Sequence, residues 1–594
     1  MGFDYALVHL KYTIPPALAL TALYRPLLTR LDLYKIGFLI SIAVVSTIPW
    51  DSYLIHQRIW TYPAHVVAGP TLFAIPIEEL FFFVIQTYNT TLLYLFLSKP
   101  LLHPAYLVAT TQGRERRWRL PLAAVRTGGQ TVLGLLIAWG VSMVVEAKQA
   151  TYMGLILIWA GPFLFLLWSL AYQFVVGLPR TSTLWPIVVP TLYLWIVDTL
   201  ALQRGTWVIE SDTKLGIQIW KGLEIEEAVF FLATNTLIVF GLVAFDNAIA
   251  VLELFPALFP PPPTLPWPST LVRALLISSD RYRATRVAGI AEALARLRAK
   301  SRSFYLASAV FTGRLRIDLV LLYSFARAAD DMIDNAETST EAELNCSNLR
   351  KFLDLCYGSF DDPVKLEQFL QTSFPDNVQN ALRLLPTSYL SERPLYELLE
   401  GFHTDLQFDD DTTGTGSWPI TTEADLDLYA MRVAGTVAEL CLELVFYHNH
   451  TSISAEQRRR LVKAGGRMGV ALQCVNIARD IAVDANINRV YVPTSWLKDA
   501  GMTPEDLVRH PNGASAEALR HRMLDKAEGI YDEARPAINE LPPAVRGPMA
   551  VAVESYMEIG RVLREKNYNV KAGRATVPKL RRLRVGWKTL SSSK

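Results

Sequence analysis

Two short acidic clusters dominate the chemistry this chain can do. Asp330, Asp331 and Asp334 fall within about one helical turn, and Asp330 and Asp334 are spaced i, i+4 on one helix face. Asn476, Asp480 and Asp484 carry the same spacing over two turns. Carboxylates sharing a face repel one another, and burial adds to the cost. A bound cation removes that penalty. Hard oxygen ligands on two facing helices suit Mg²⁺, which takes one or two carboxylates per ion and completes its shell with water and substrate phosphate. Apolar sequence precedes each cluster (319–329 and 470–475), and Arg327 and Arg479 stand close by, placed to meet phosphate oxygens. Solvated helix faces would need neither the apolar setting nor the arginines. The pattern therefore predicts a site where metal holds a diphosphate and makes it a leaving group.

A second set of acids lies far upstream and is written twice. Ile75 to Phe83, containing Glu78 and Glu79, is echoed by Leu223 to Phe231, containing Glu226 and Glu227. Pro49-Trp50-Asp51 with Trp60 is echoed by Ile196-Val197-Asp198 with Trp207. The offsets are 226 − 78 = 148 and 207 − 60 = 147, so the copies keep register. A carboxylate at bilayer depth costs about 2–3 kcal/mol on insertion scales, so repeated ones invite a functional reading. In an apolar pocket a carboxylic acid stays protonated more readily and can act as a general acid. The plainer alternative puts these residues at the interface, where Glu starts a helix favourably. The faces of Phe81, Phe82, Phe230 and Phe231 could stabilise a carbocation, although most of that stripe is expected to pack against lipid.

These residues need scaffolds of two kinds. The chain has 594 residues, enough for two or more domains. A net charge of +2 offers no argument for nucleic acid. Hydrophobic residues make up 51% and concentrate before about residue 255. Stretches at 36–50, 72–97, 129–145, 153–176, 184–202 and 223–243 approach bilayer length. A seventh at 5–24 is weaker, because it holds His9, Lys11, Pro15 and Pro16. The expectation is an all-α chain with six to seven membrane spans followed by a soluble helical domain. Domains are placed at 1–252 (repeats of about 1–145 and 146–252), a proline-rich, extended spacer at 253–270 with Pro260 to Pro263, and 271–594. The repeat advances by four spans, an even number, so both copies cross the membrane in the same direction. Loops rich in Arg25, Arg30 and Lys35, and in Arg114, Arg116, Arg117 and Arg119, mark the cytosolic side. Counting onward puts the second domain in the cytosol. Cys346, Cys356, Cys441 and Cys474 form no CxxC pair and read as reduced thiols. No cleaved signal peptide is expected. The basic run Lys579 to Lys588 could touch anionic lipid or simply be solvated, and solvation is the expectation.

Residues from about 280 to 580 resemble the squalene/phytoene synthase family, on the strength of the two acidic motifs. The first 250 or so resemble the membrane lycopene cyclases, supported by the repeat. The order of cyclase, proline linker and synthase is similar to the fungal family in which the two are fused. The resemblance implies an isoprenoid-synthase fold for the C-terminal half. It implies Mg²⁺ (or Mn²⁺) held by Asp330 and Asp334 on one helix and by Asn476, Asp480 and Asp484 on the other, with Asp331 adjacent. Tyr323, Arg327, Gln473 and Arg479 match positions lining the diphosphate and reaction pocket; Ser303, Phe304 and Tyr305 match its mouth. Arg489 to Pro493, including Tyr491, match a flap, and Val433 to Val437 match a helix whose Gly435 admits substrate chains. Ala478 and Ala482 depart from the bulkier residues usual there. The implied reactions are condensation of two geranylgeranyl diphosphates to phytoene and proton-initiated closure of β-rings on lycopene. Asp51, Glu78, Glu79, Asp198, Glu226 and Glu227 are the candidates for the second. No flavin or NADPH motif is seen, and the absence of a C-terminal apolar anchor favours phytoene over squalene. The resemblance also allows a phytoene desaturase as partner and an internal membrane such as the endoplasmic reticulum. The alternatives are a synthase whose first half only anchors it or handles lipid, and a squalene-type synthase using NADPH.

Overall fold

The structure, a computed structural model, describes residues 2–63, 66–109, 121–146, 149–259, 265–358, 362–408, 417–449, 453–565 and 576–592. It divides into two compact units, Met1–Val287 and Ala288–Lys594. The arginines at 114, 116, 117 and 119 and the prolines at 260–263 lie outside the described residues.

Among the described residues the first unit contains seven helices long and apolar enough to cross a membrane: α1 (Asp4–Leu27), α2 (Arg30–His56), α3 (Ile77–Ser98), α4 (Leu122–Val145), α5 (Thr151–Gly177), α6 (Trp185–Gln203) and α7 (Ile225–Leu254). The weakest stretch in the sequence thus forms a helix of spanning length. A π-helical turn at His9–Thr13 absorbs Pro15 and Pro16, which lack N–H donors and crowd the carbonyls four residues back. His9 is buried, its ring nitrogens engaging Thr13 Oγ1 at 3.0 Å and the Glu78 carbonyl at 3.0 Å. α2 begins earlier than hydropathy alone indicates, because Thr29 and Asp32 form a capping box. Lys35 is therefore no loop charge. It lies inside α2, buried and paired with Asp246 of α7, which is how a cation is tolerated there.

Helices α1–α3 correspond to α5–α7, and α4 has no counterpart. Three spans alone would invert the second copy, and the fourth restores its direction. The copies meet about an approximate two-fold axis. Trp60–Thr61 pairs antiparallel with Val208–Ile209. Gln86 donates to Thr234 at 2.9 Å, and the two are equivalent positions, 234 − 86 = 148 apart. α4 packs on α5 through glycine: a Cβ at Gly154 would lie 2.7 Å from the Gly140 carbonyl. A hairpin, Thr71–Leu72 with Ile75–Pro76, leads into α3, and Gln218–Trp220 with Leu223–Glu224 leads into α7. Phe73 and Ala74 turn the first hairpin at φ 53° and 70°, a left-handed geometry that costs non-glycine residues about 1–3 kcal/mol each. This turn moves the start of α3 from the expected 72 to Ile77 and puts Glu78 and Glu79 in its first turn.

After α7 the chain forms a short helix, Pro268–Leu275, that packs back on α7. The extended spacer read from the prolines therefore ends a little early, since proline at a first helical position costs nothing.

The second unit is a helical bundle built mainly from α8 (Gly313–Asp334), α9 (Glu392–Leu406), α10 (Thr436–His448), α11 (Ala455–Ala485), α12 (Ala514–Ala534) and α13 (Pro543–Leu563). Phe325, Leu398, Leu440, Val475 and Met557 share its core. A π-helical turn, Met431–Gly435, precedes α10 and crosses α11 closely. A Cβ on Gly469 would lie 2.6 Å from the Ala434 carbonyl, and one on Gly435 3.1 Å from that of Gly466. Gly435 thus admits a neighbouring helix, which corrects the reading that it admits substrate. Val433, Ala434 and Val437 are the residues that face the cavity described next.

Candidate active sites

The second unit encloses a cavity of about 910 Å³. Asp330 and Asp334 reach it from α8, and Asn476, Asp480 and Asp484 from α11. Local sequence explains why the α8 pair and the α11 triplet point inward: each repeats every fourth residue on a helix whose other faces pack largely in the core. Ser303, Phe304, Tyr323, Arg327, Gln473, Arg479, Arg489 and Tyr491 also line the cavity. Tyr305 does not; the helix Arg302–Ser308 presents Phe304, Ala307 and Ser308 instead. Asp331 stands beside the cavity, accepting from Arg327 at 2.6 Å and Lys300 at 3.0 Å.

Each arginine already rests on the acids. Arg327 contacts Asp330 at 2.7 Å, Arg489 contacts Asp334 at 2.8 Å, and Arg479 donates to its neighbour Asp480 at 2.7 Å. Crowding remains. Burial, reinforced by Asp334, pushes the Asp330 carboxyl up to about 6. Burial, reinforced by Asp480, pushes Asp484 up to about 8. Among the described residues no three His, Cys, Asp or Glu side chains converge to hold an ion by themselves. The donor set is nevertheless what a hard cation takes when water and phosphate complete its shell: two crowded carboxylate pairs facing one cavity.

Three residues here escaped the sequence reading. Asp405 of α9 is buried and accepts from the phenols of Tyr429 (2.9 Å) and Tyr491 (2.8 Å). Burial pushes its carboxyl up to about 7. It falls on the same stripe as Leu398 and Phe402, and an acid within an apolar stripe was the signal available. Tyr556 of α13 donates to Asn476 and stacks on Phe304 at 5.0 Å between centroids.

In the first unit the repeated acids separate into two roles. Glu78 accepts the Ala68 backbone N–H at 2.7 Å, and Glu226 accepts that of Leu215 at 2.7 Å. These first members of each pair fasten the preceding loops. Glu79 accepts from Tyr62 (2.8 Å) and from Tyr5, while Glu227 accepts from Tyr152 at 2.7 Å. Asp51 is fully buried, and neither of its oxygens meets a hydrogen-bond donor among the described residues. Asp198 is also buried and sits beside the Trp207 indole, without hydrogen-bond geometry. Asp51 and Asp198 each interact electrostatically with both Glu79 and Glu227. Glu79, Glu227, Asp51 and Asp198 therefore form one cluster drawn from both copies.

Aromatic rings adjoin it. Trp50 stacks on Trp159 at 5.3 Å, Trp159 on Phe230 at 6.1 Å, and Phe82 meets Phe231 edge-on at 6.0 Å. Phe82, Phe230 and Phe231 are buried and only Phe81 is exposed. This corrects the expectation that most of the stripe faces lipid; pairing of the two copies turns the rings inward. Tyr5 and Tyr152 were missed, although their offset, 152 − 5 = 147, matches that of the acids.

Comparison with known proteins agrees in both halves. The family model "Squalene/phytoene synthase" matches residues 297–581. The "Bifunctional lycopene cyclase/phytoene synthase" of Leptosphaeria maculans is 58% identical over 597 aligned residues, covering all of both chains. Those of Phaeosphaeria nodorum and Gibberella fujikuroi are 56% and 54% identical, again over the full length of both. Among solved structures, a dehydrosqualene synthase in complex with ligand is similar over 51% of this chain and 96% of its own, at 23% identity and a TM-score of 0.41.

Proposed function

The chain belongs to the family of bifunctional lycopene cyclase/phytoene synthases, and from that premise we propose which residues carry each activity. The observation that supports the assignment best is the presence of two separate acid sites in two separate compact units.

In the second unit the substrates are two geranylgeranyl diphosphates. Asp330, Asp334, Asn476, Asp480 and Asp484 would hold Mg²⁺ or Mn²⁺, which when bound supplies the electrophilic pull on a diphosphate. Arg327, Arg479 and Arg489, now paired with the acids, exchange to phosphate oxygens and orient the leaving group. Val433, Ala434, Val437 and Leu472 shape the walls along which the prenyl chains lie. Departure of the first diphosphate leaves an allylic cation, which the double bond of the second substrate attacks. The faces of Phe304, Tyr323 and Tyr556 adjoin the acids and stabilise positive charge that water would otherwise capture. The adduct loses a proton as it closes to a cyclopropyl diphosphate; a second ionisation releases the other diphosphate, and rearrangement with loss of a second proton gives phytoene.

In the first unit Glu79, Glu227, Asp51 and Asp198 handle the proton. One carboxylic acid protonates the terminal double bond of lycopene. The ring closes on the resulting cation beside Trp159 and Phe230, and a neighbouring carboxylate removes a proton to leave the β-ring. No net redox change occurs. Glu78 and Glu226 hold the loops that shape the site. Arg25 and Arg30 mark the cytosolic side. By the count of spans the acids lie toward the opposite face, and the second unit follows α7 on the cytosolic side. The membrane is an internal one such as the endoplasmic reticulum. Phytoene and lycopene differ in oxidation level, so a phytoene desaturase acts between the two sites.

The test is direct. The purified chain with geranylgeranyl diphosphate and Mg²⁺ is expected to make phytoene whether or not NADPH is added, and to cyclise supplied lycopene. A reduced, squalene-like product formed only with NADPH would overturn the assignment of the second unit.

A further inference from the structure

The basic run near the end of the second unit forms helix α14 (Lys579–Ser592), packed on α13. Its polarity is partly inverted: Leu590 is buried in the ordinary way, but an arginine is buried as well and two leucines are exposed. Arg582 is buried at 7% exposure and lines the wall of the synthase cavity. Arg581 also turns to the protein side, donating to Glu558 at 2.6 Å and pairing with Glu565. The outward face carries Leu580, Leu583 and Trp587 at i, i+3 and i+7, exposed by 81%, 47% and 44%. Lys579, Arg584 and Lys588 are exposed beside them, and the helix contains no acidic residue.

A helix adapted to water would bury the leucines and expose the arginines. The observed order suits a medium whose outer layer is anionic and whose next layer is apolar. Leucines can reach the acyl boundary, a tryptophan sits at headgroup level, and cations meet lipid phosphates. We propose that α14 docks the second unit on an anionic phospholipid surface, with Leu580, Leu583 and Trp587 inserted and Lys579, Arg584 and Lys588 on the headgroups. Two observations favour lipid over a protein partner. The exposed charge on this helix is of one sign, complementary to such a surface. Among its described residues the same chain carries seven helices long and apolar enough to cross a membrane, so a bilayer would be within tether reach and a weak contact would act at high effective concentration. On the reading of the cavity given above, which this consequence rests on, an apolar product leaving past Arg582 would emerge beside lipid.

Full-length chain, one copy per nanodisc, is exposed to trypsin in discs of phosphatidylcholine alone or with about 30 mol% phosphatidylserine. Cleavage at Arg584 and Lys588 is followed by mass spectrometry against exposed sites elsewhere in the chain. Cleavage is expected to be roughly ten-fold slower in the anionic discs, and the protection should fade at high salt. It should also disappear in the triple variant Leu580→Gln, Leu583→Gln, Trp587→Gln, which should keep making phytoene. Equal cleavage in the two discs, a comparison that needs no variant, would overturn the proposal. Protection undiminished in the triple variant would do the same. Protection seen only with two copies per disc would assign this face to a second chain instead. Because the readout is proteolysis, it is independent of whether the assignment of phytoene synthesis holds.

Discussion

The acids of this protein differ in what surrounds them, and their variants should differ accordingly. Asp330→Asn and Asp480→Asn each remove one carboxylate from a crowded pair facing the cavity, and should lower phytoene formation by roughly 10²–10³-fold. Both should leave cyclisation of supplied lycopene unchanged, as read by chromatography of the two products. In the first unit Glu79→Gln and Glu227→Gln should each lower β-ring formation by roughly 10²–10⁴-fold. Glu78→Gln and Glu226→Gln should be far milder, because an amide oxygen can still accept the Ala68 or Leu215 backbone N–H. Equal losses across all four would sink the division of roles. Asp405 offers a pH test. Its carboxyl is pushed up to about 7 by burial, so the folded state binds the proton more tightly than the unfolded one. That contribution is fully present below about pH 4 and is lost as pH rises through 7. Asp405→Asn should therefore flatten the fall of the melting temperature between pH 4 and 7, a difference of roughly 2–4 kcal/mol at most. Residue types and spacing made the acidic pairs legible in the sequence. They could not divide Glu78 from Glu79, because adjacent residues on one helix turn share every sequence feature and differ only in what they face.

At the scale of elements, backbone proximity decides the geometry of the synthase cavity. The π-turn Met431–Gly435 and α11 touch main chain to main chain at Gly469, so any side chain there must push the cavity wall aside. Gly469→Val should cost about 1–3 kcal/mol through overpacking and lower the melting temperature by several degrees. Calorimetry of the full chain checks it. The hairpin before α3 behaves in the opposite sense. Ala74 holds φ 70° without being glycine, and Ala74→Gly should leave stability equal or raise it by a few tenths of a kcal/mol to about 1. Helix and span positions were readable from periodicity and apolar length. The π-turns, the capping box at Thr29 and the exact start of α3 were not, because each depends on hydrogen bonds that hydropathy does not encode.

At the scale of the whole molecule, the proposed assignment gives the two chemistries to separate compact units with different requirements. Chelation of divalent metal should abolish phytoene synthesis and leave lycopene cyclisation at its full rate, since the proton chemistry proposed for the first unit needs only side chains. Loss of both activities on chelation would argue that the sites are not independent. The first unit is itself a tandem repeat. Two three-helix copies and the connecting α4 pack so that Gln86 meets Thr234 and Asp51 senses Glu227. Each copy thus supplies part of one site.

The sequence by itself determined the two kinds of chemistry, the spans, the repeat and the family, because each is written in local spacing or in register along the chain. Only the tertiary structure decided which acids converge and which fasten loops. Only it showed that the aromatic stripe turns inward, and that the last basic helix presents leucine and tryptophan outward while burying an arginine. The reason is physical. Spacing fixes which residues share a face of their own helix, but what that face meets is set by contacts between segments about 150 residues apart, through desolvation and hydrogen bonding that no local pattern contains.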